Sequence, residues 1–243
     1  MDIEAERQKT DAPVQIEVRD LSKVYDSRGV ETVALRDVDL EIDRGEFTAL
    51  AGPSGSGKTT LLNMIGALDR PTKGTVLLEG VDLETLDDGE LSQLRLHKLG
   101  FVFQSYNLIP VLTARENVEF VMELQGVKAS KRRLLADDVL GRVGLDGLGN
   151  KRPLEMSGGQ QQRVAVARAI VSRPEVVLAD EPTANLDSNT AQKLLDLMHE
   201  LNHEEGITFV FSTHDPMVMD MADRLVRLHD GQISTDEVRR QVE

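Results

Sequence analysis

One stretch constrains what this chain can fold into more than any other: Gly52-Pro53-Ser54-Gly55-Ser56-Gly57-Lys58-Thr59. It fits the pattern of glycine, four residues, Gly-Lys and then Ser or Thr that marks a phosphate-binding loop. The apolar run 47–51 predicts a short buried strand ahead of it. Behind it, apolar residues recur on one helical face, at Leu61, Leu62, Ile65 and Leu68. A Gly/Ser-rich surface turn would match this pattern by chance, but the flanking strand and helix favour an α/β core that binds phosphate.

The small residues of the loop predict its chemistry. Successive backbone N–H groups curl around phosphate oxygens, and the N-terminus of the following helix adds a favourable dipole. Lys58 is expected to reach the outer phosphates, and the Thr59 hydroxyl to bind Mg²⁺. The residues predicted to bind the phosphates are consecutive in the chain, namely Ser54, Gly55, Ser56, Gly57, Lys58, Thr59 and Thr60.

Charge and composition exclude several classes of partner. The net charge of −14 argues against nucleic-acid binding, which needs a basic face. With two Tyr, six Phe and no Trp, the chain also lacks the aromatic residues for stacking bases along a strand. An acidic protein that binds an anion must concentrate positive potential locally, and the phosphate loop with Lys58 and Mg²⁺ is suited to that.

Length and hydropathy limit the architecture. At 243 residues the chain has room for one substantial core and a small second lobe. No apolar run reaches the length needed to cross a bilayer, and the charged first ten residues lack the apolar core of a secretion signal. The absence of cysteine excludes disulfides and thiolate metal sites and is typical of a cytosolic protein.

The first third of the chain predicts an antiparallel β lobe. Residues 14–19 alternate apolar and polar side chains, as a half-buried strand does, and a second strand-like stretch covers 32–42. The polar loop between them contains Tyr25, whose ring is interpreted either as ordinary packing or as a surface that stacks on adenine. Residues 1–13 are polar and are predicted to form a flexible N-terminus.

The middle of the chain predicts a helical subdomain inserted into an α/β pattern. A strand at 99–103 stops at Gln104, and residues 105–172 contain no convincing strand. Helices are predicted there at 113–125, 131–143 and 157–172. The α/β pattern then resumes with a strand at 175–179 and a helix at 188–203, whose predicted buried face is formed by Ala191, Leu194, Leu195, Met198 and Leu201. A strand at 207–211 and a strand or hairpin arm at 224–228 follow, before a charged C-terminal tail at 235–243.

Three predicted strands end in polar residues, at Gln104, at Asp180-Glu181 and at His214. Ligands bind at the carboxyl ends of strands in open parallel sheets, so these residues and the phosphate loop are expected at one edge. Asp180 is predicted to hold Mg²⁺, and Glu181 to accept the proton of an attacking water. Taken singly, Asp180-Glu181 would be explained as carboxylates that cap a helix or turn, and His214 as an ordinary surface histidine. Their convergence favours a catalytic site in which His214 positions that water.

A second anion-binding feature follows about a hundred residues after the loop, in Met156-Ser157-Gly158-Gly159-Gln160-Gln161-Gln162-Arg163. Ser157 is placed as a helix N-cap, and the N–H groups of Gly158, Gly159 and Gln160 would face an anion. A lone Ser-Gly-Gly turn needs no ligand. In a chain that already has a phosphate loop, however, a second anion-binding helix start needs a functional explanation. One chain cannot easily bring both features to one nucleotide if the helical insert points away from the loop. Two chains arranged head to tail can.

Together these residues resemble the ATPase subunit of ATP-binding-cassette (ABC) transporters over residues 14–234. The resemblance implies an α/β fold: a P-loop NTPase (RecA-like) core with an N-terminal antiparallel β lobe and an inserted α-helical subdomain at about 105–172. It also implies that the chain binds ATP and Mg²⁺ and hydrolyses ATP with water. By resemblance, Gln104 contacts Mg²⁺ and signals to membrane subunits, and Tyr25 matches the aromatic residue that stacks on adenine.

The resemblance extends to a dimer. Ser157 and Gly159 would contact the γ-phosphate of ATP held by a partner chain, and Asp187 resembles the loop aspartate that links the two sites. The implied partners are a second copy of the chain, head to tail around two ATP, and integral membrane permease subunits. The implied location is the cytoplasmic face of the cell membrane. The chain departs from the family pattern at Met156, where leucine is usual, and at Ala184, where glycine is common; neither removes a polar group needed for hydrolysis.

Within the superfamily, the stretches 63–72, 100–110 and 112–119 resemble the macrolide-exporter and lipoprotein-releasing branch. Two other functions stay open on the sequence alone. One is the ATPase of an ordinary importer, and the other is a nucleotide-gated scaffold such as the cell-division member of the same branch. A chromosome-maintenance ATPase would need a long coiled coil between the two motifs, which this chain lacks.

Overall fold

The structure, a computed structural model, describes residues 13–27 and 29–239. The described chain divides into two compact units. The first holds the residues up to Leu91 and those from Val210 onward, and the second holds Ser92–Phe209. Apart from Pro13, the N-terminus predicted to be flexible lies outside the described residues, as do residues 240–243 of the predicted tail.

Ten strands and seven α-helices are assigned within the described residues. The strands are β1 (Val14–Ser27), β2 (Val30–Asp43), β3 (Phe47–Ala51), β4 (Lys73–Leu78), β5 (Val81–Asp82), β6 (Leu99–Val102), β7 (Val176–Asp180), β8 (Thr208–Thr213), β9 (Arg224–His229) and β10 (Gln232–Val238). The helices are α1 (Lys58–Ile65), α2 (Asp88–Lys98), α3 (Ala114–Leu124), α4 (Ala129–Arg142), α5 (Gly158–Ile170), α6 (Ser188–Glu205) and α7 (Pro216–Met221).

The first unit begins with an antiparallel sheet in the order β2-β1-β4-β5. β1 and β2 form a long hairpin whose inward side chains are buried: Ile16, Val18, Leu21, Leu35, Val38, Leu40 and Ile42. A register shift between Val18 and Leu21 lets both face inward, and Asp20 between them adopts a φ of 50°. The predicted antiparallel β lobe is confirmed.

The prediction that Tyr25 lies in a loop is wrong. β1 continues to Ser27, and Tyr25 pairs with Thr32 of β2. The cause is the bulge after Val18, because an inserted residue reverses the phase of the apolar alternation. A strand that seems to end near Arg19 in the sequence therefore resumes with the opposite phase.

The first unit also contains strands in the order β10-β9-β3-β8. β3 pairs with β9 in parallel, with Ala49 opposite Leu225, and β10 pairs with β9 in antiparallel. All five residues of β3 are buried. The rings of Phe47 and Phe211 lie 4.6 Å apart between centroids. A fully buried strand of this kind fixes the position of whatever follows it, which here is the phosphate loop.

A buried arginine anchors the last strand. Arg224 is 3 % exposed and donates from Nε and Nη2 to the Asp236 carboxylate at 2.8 and 2.7 Å, and from Nη1 to Glu46 at 3.0 Å. Burial acts to lower the pKa of Arg224, but the hydrogen bonds and charges of Asp236 and Glu46 outweigh it and raise that pKa. Residues 235–238, expected in an exposed tail, therefore belong to β10.

The second unit contains a parallel pair of strands and a group of helices. β6 pairs with β7 in parallel, with Leu99 opposite Val176 and Val102 opposite Ala179. Between these strands the described residues form only helices and turns, and α3 packs against α4 and α5. The apolar faces of these helices are buried: Ala114, Val118, Met122, Ala136, Val139, Leu140, Val164, Ala165 and Ala167. The predicted fold class, an α/β core with a β lobe and a helical insert, is confirmed.

The longest helix of the second unit is α6, with 18 residues. Its buried face is the one predicted from apolar spacing: Ala191, Leu194, Leu195, Met198 and Leu201. The side chain of Asp187 caps its first turn, and Gly206 ends it with a left-handed φ of 66°. Neither α6 nor any other helix in the described part of the chain combines the length and the apolar content that a membrane span requires.

Candidate functional site

The phosphate loop lies in the first unit, between β3 and α1, and its glycines have backbone conformations that other residues rarely adopt. Gly52, Gly55 and Gly57 have positive φ values of 154°, 82° and 102°. A Cβ on Gly52 would lie 2.3 Å from the carbonyl oxygen of Leu228, and one on Gly57 would lie 2.6 Å from that of Ala34. Close contact with neighbouring backbone therefore fixes the course of the loop and the direction of its N–H groups.

Lys58 begins α1, and its side chain folds back over the loop. Its Nζ donates to the carbonyl oxygens of Gly52 at 2.8 Å and Pro53 at 3.0 Å, and the residue is 6 % exposed. Ser56 beside it is buried, and its Oγ has no hydrogen-bond partner among the described residues. A buried hydroxyl without a partner costs about 1–3 kcal/mol, so a ligand oxygen at this place would relieve an existing penalty.

Gly57→Ala is expected to destabilise the protein more than Gly55→Ala. Both residues have a left-handed backbone, which costs an alanine roughly 1 kcal/mol. At Gly57 the new Cβ would also clash with the Ala34 carbonyl oxygen, whereas at Gly55 it would meet nothing within 4 Å. We expect losses of about 3 and about 1 kcal/mol respectively in the free energy of unfolding, measured by chemical denaturation without nucleotide. Equal losses would contradict the close approach at Gly57.

Tyr25 lies on β1; the residue is 38 % exposed, and its hydroxyl is held in place by a hydrogen bond. The hydroxyl donates to Asp69 Oδ2 at 2.9 Å, and Lys23 Nζ donates to Asp69 Oδ1 at 2.8 Å while lying 4.8 Å from the ring centroid of Tyr25. Burial, and then the hydrogen bond to Asp69, raise the pKa of Tyr25. Burial favours a higher pKa for Asp69, but hydrogen bonds from Lys23 and Tyr25 lower it. Lys23 and Asp69 thus orient the ring, and the sequence analysis did not identify them.

His214 follows β8 directly, and β8 lies beside β3 in the first unit. The side chain is exposed. The next residue, Asp215, caps α7 by accepting the N–H of Met217 at 2.9 Å, and its own N–H donates to Thr213 Oγ1 at 2.9 Å. The backbone of His214 is therefore fixed on both sides, by a buried strand and by a capped helix.

In the second unit, Gln104, Asp180 and Glu181 lie at one end of the parallel pair β6 and β7. Gln104 comes two residues after Val102, the last residue of β6, and Asp180 is the last residue of β7. Glu181 has a φ of 46°, a left-handed conformation that L-residues adopt at a cost of roughly 1 kcal/mol or more. Such strain persists only where the surroundings enforce it, and it concentrates at functional sites.

The helix start predicted at Ser157 is present and closed by a capping box. Ser157 Oγ accepts the N–H of Gln160 at 3.3 Å, and the N–H of Ser157 donates to Gln160 Oε1 at 3.0 Å. A Cβ on Gly158 would lie 2.9 Å from Tyr106 Oη, and one on Gly159 would lie 2.7 Å from Thr190 Cγ2. A side chain on either glycine would therefore displace a neighbouring side chain of the second unit, independently of any ligand.

Asn185 and Arg168 hold the segment after β6, a role that the sequence analysis did not assign to them. Asn185 Nδ2 donates to the carbonyl oxygen of Gln104 at 2.9 Å. Arg168 of α5 donates to the carbonyl oxygens of Tyr106 at 2.9 Å and Asn107 at 2.6 Å, and burial lowers the pKa of its guanidinium. These contacts connect the Gln104 segment to the helix that follows Ser157 and to the turn before α6. A hydrogen bond to a backbone oxygen leaves no pattern in the sequence.

The residues of each unit fit a phosphorylated ligand accompanied by Mg²⁺. In the first unit, the unpartnered Ser56 hydroxyl and the open space beside Gly55, where an added Cβ would meet no atom within 4 Å, suit phosphate oxygens close to the backbone. Thr59 is exposed on the first turn of α1, and Asp180 ends β7 in the second unit; both offer the oxygen ligands that Mg²⁺ prefers. The described residues contain no group of three His, Cys, Asp or Glu side chains arranged around a metal.

Comparison with known proteins identifies the family. The sequence profile of the ABC transporter family matches residues 35–184, more than half of the chain. The lipoprotein-releasing system ATP-binding protein LolD of Anaeromyxobacter dehalogenans is 47% identical over 222 residues, which are 91% of this chain and 93% of that protein. The macrolide export ATP-binding/permease protein MacB of Hyphomonas neptunium is 45% identical over 229 residues, 94% of this chain but 35% of MacB.

A solved structure matches over the same extent. The dimeric ATP-binding cassette MJ0796 of Methanocaldococcus jannaschii, in a post-hydrolysis state bound to ADP and Pi, has a TM-score of 0.88 and 42% identity. The match covers 93% of this chain and all of that one. Profile, relatives and structure agree with the phosphate loop and the Ser157 helix start described above. The chain therefore belongs to the ABC transporter family, and it is similar to the ATP-binding proteins of lipoprotein-releasing and macrolide-export systems.

Proposed function

We propose that this protein is the ATP-hydrolysing subunit of an ABC transporter, and that two copies close head to tail around two ATP molecules to move membrane permease subunits. One observation carries the proposal. The chain has two glycine-rich helix starts, α1 after the phosphate loop in the first unit and α5 after Ser157 in the second, and the N–H groups of such helix starts can bind anions. One helix start suffices for a single chain to hold its nucleotide. The second serves the nucleotide of a partner.

The first unit would hold ATP. The N–H groups of the loop from Ser54 to Thr60 surround the phosphates, Lys58 turns from the loop carbonyls toward the outer phosphates, and the ring of Tyr25 stacks on the adenine. Mg²⁺, when bound, neutralises charge on the phosphate oxygens. Thr59, Gln104 and Asp180 are the residues that would hold it, directly or through water.

A second copy would complete each site. Ser157, Gly158, Gly159 and Gln160 of one chain face the γ-phosphate of ATP held by the other, and Asp187 links the two sites. The dimeric state of MJ0796 bound to ADP and Pi supports this arrangement. Because α5 is capped through Ser157 and Gln160, its first N–H groups are oriented before any ligand arrives.

Hydrolysis would proceed by attack of water on the γ-phosphate. Glu181 accepts the proton of that water, and His214 holds the water and the phosphate in register. The carboxylate of Glu181 is carried on a left-handed residue next to β7, so its direction is set by the strand. Lys58 stabilises the charge that develops on the transferred phosphoryl group.

The domain organisation and the membrane partner follow from the same proposal. Residues 14–234 form the ABC ATPase domain, with the helical subdomain at about 105–172. The segment after Gln104 transmits the conformational change of dimer closure to the permease. The protein is membrane-associated, and we place it on the cytoplasmic face, held there by the permease subunits. The LolD and MacB relatives support lipoprotein release or export as the work that is driven.

Specific ATPase activity is expected to rise with protein concentration until the dimer is saturated. The reason is that no single chain holds a complete site under this proposal. The measurement is phosphate release per chain, at saturating Mg-ATP, over about a hundredfold range of protein concentration centred on the dimer dissociation constant. A rate per chain that is constant over that whole range, with the protein monomeric throughout, would contradict the proposal.

A further inference from the structure

Two histidines of α6 lie together on the surface, and neither is among the residues assigned above to ATP. His199 and His203 are separated by four positions, which places them one above the other on the helix. Their Nε2 atoms lie 3.3 Å apart, and their ring centroids lie 4.3 Å apart with an interplanar angle of 66°. His203 is exposed and His199 is half-buried, so solvent reaches the pair.

The distance between the two nitrogens suits a shared metal ion. Imidazole nitrogens bind Zn²⁺ at about 2.0–2.1 Å, and two of them at a tetrahedral angle are then roughly 3.3 Å apart. The separation of 3.3 Å between His199 Nε2 and His203 Nε2 matches that value. We propose that His199 and His203 form a two-histidine site for a divalent transition-metal ion, Zn²⁺ or Cu²⁺, a site that does not depend on the function proposed above.

The electrostatic surroundings favour a cation. Asp196 lies one turn before His199 on the same side of α6, and its Oδ1 accepts a hydrogen bond from Gln192 at 2.8 Å. Glu200 and Glu204 lie on the same turns as the histidines and are exposed. The C-terminal end of a helix carries a partial negative charge as well, and α6 ends at Glu205. Negative charge therefore surrounds the pair along the helix.

The ligand type decides which ions bind. Imidazole suits Zn²⁺, Cu²⁺ and Ni²⁺, and Cu²⁺ binds nitrogen sites most strongly among the divalent first-row metals. Mg²⁺ prefers oxygen ligands, so this pair does not compete with the phosphate loop for it. No third His, Cys, Asp or Glu joins the pair among the described residues. Water completes the coordination, and the site is open to exchange.

The histidine pair lies toward the opposite end of α6 from Asp187. His199 lies eleven positions after Ser188, the first residue of α6, which is about 16 Å along the helix axis. Asp187, which we place at the dimer sites, lies at the other end of the same helix. A metal bound across residues 199 and 203 would cross-link one turn of α6 and stabilise its C-terminal half against fraying.

The alternative is a hydrogen bond between the two rings, one nitrogen protonated and the other accepting, with no metal affinity. Titration of the full chain, untagged and without nucleotide, with CuCl₂ under electron paramagnetic resonance distinguishes the two. The proposal predicts one bound Cu²⁺ with two nitrogen ligands. His199→Gln and His203→Gln should each weaken binding by about 100-fold, because the second imidazole binds intramolecularly once the first is bound.

His97→Gln is the matched control. His97 is exposed and is the one histidine of α2. Its substitution by glutamine therefore removes an imidazole without changing His199 or His203. Copper affinity should be unchanged in this variant, and ZnCl₂ should raise the melting temperature of the wild type and of His97→Gln but of neither α6 variant. Unchanged copper binding in either α6 variant, or an equal loss in His97→Gln, would overturn the proposal.

Discussion

Glu181→Gln is expected to lower the rate of ATP hydrolysis about 1000-fold while ATP binding persists. An amide has nearly the shape of the carboxylate but cannot accept the proton of the attacking water. Glu181 directly follows β7 and has a left-handed backbone, and glutamine has the same backbone requirement, so the fold is not expected to change. Phosphate release measures turnover, and equilibrium binding of ATP measures the nucleotide site.

In the presence of ATP, Glu181→Gln should accumulate as a dimer, because the closed dimer opens after hydrolysis and this variant does not hydrolyse ATP. Glu205→Gln is a suitable control, since Glu205 carries the same charge at the far end of α6 and pairs with Arg142. That control should retain normal turnover. Near-normal hydrolysis by Glu181→Gln would remove Glu181 from the role of proton acceptor.

Ser157→Arg is expected to reduce hydrolysis by at least about 100-fold and to leave ATP binding to the single chain nearly intact. The change puts a long cationic side chain where the γ-phosphate of the partner's ATP is expected, and it removes the hydroxyl that accepts the Gln160 N–H. In the proposed arrangement the serine contacts only the nucleotide held by the other chain. Lost binding in the monomer would therefore count against contribution across the dimer.

Loss of the helix cap alone must be separated from loss of the ligand contact. Substitution of Thr113 provides the matched control, because Thr113 caps α3 in the same unit through the same type of capping box, formed with Glu116. Replacing an N-cap residue costs typically about 1 kcal/mol, so Thr113→Arg and Ser157→Arg should destabilise the protein similarly. Only Ser157→Arg should abolish hydrolysis. Equal inactivation of both variants would indicate a general folding defect.

The sequence predicted those parts of the fold that are local. The phosphate loop was recognisable because its strand and helix are adjacent in the chain, and α6 because Leu194, Met198 and Leu201 repeat at helical spacing. Strand β7 was recognisable as an apolar run ending in a carboxylate. Each of these signals is complete within about twenty residues, so no distant contact was needed to interpret it.

The errors and omissions have a common cause in distant contacts. β1 was ended too early because a bulge near Asp20 reverses the alternation, and the pairing partner that makes the strand continuous, β2, is not visible in the pattern. The last strand was expected to be a tail because its acidic residues look exposed. Asp236 in fact pairs with a buried arginine twelve positions away.

The candidate site shows the same division. Motif residues were identified from their spacing, but Asn185 and Arg168 act through backbone oxygens of the segment after β6, 61 to 81 positions away. Backbone acceptors have no residue identity, so nothing in the sequence marks them. Lys23 and Asp69, which hold the ring of Tyr25, are likewise 46 positions apart. Supporting residues of this kind become visible only in three dimensions.

The central claim is that two copies of this chain share each ATP, and sedimentation of Glu181→Gln with and without Mg-ATP tests it most directly. The account predicts a monomer without nucleotide and a stable dimer holding two ATP with it. Adding Ser157→Arg to the same chain should return that dimer to a monomer that still binds ATP. A Glu181→Gln chain saturated with ATP that stays monomeric at high concentration, even with its membrane partner present, would contradict the account.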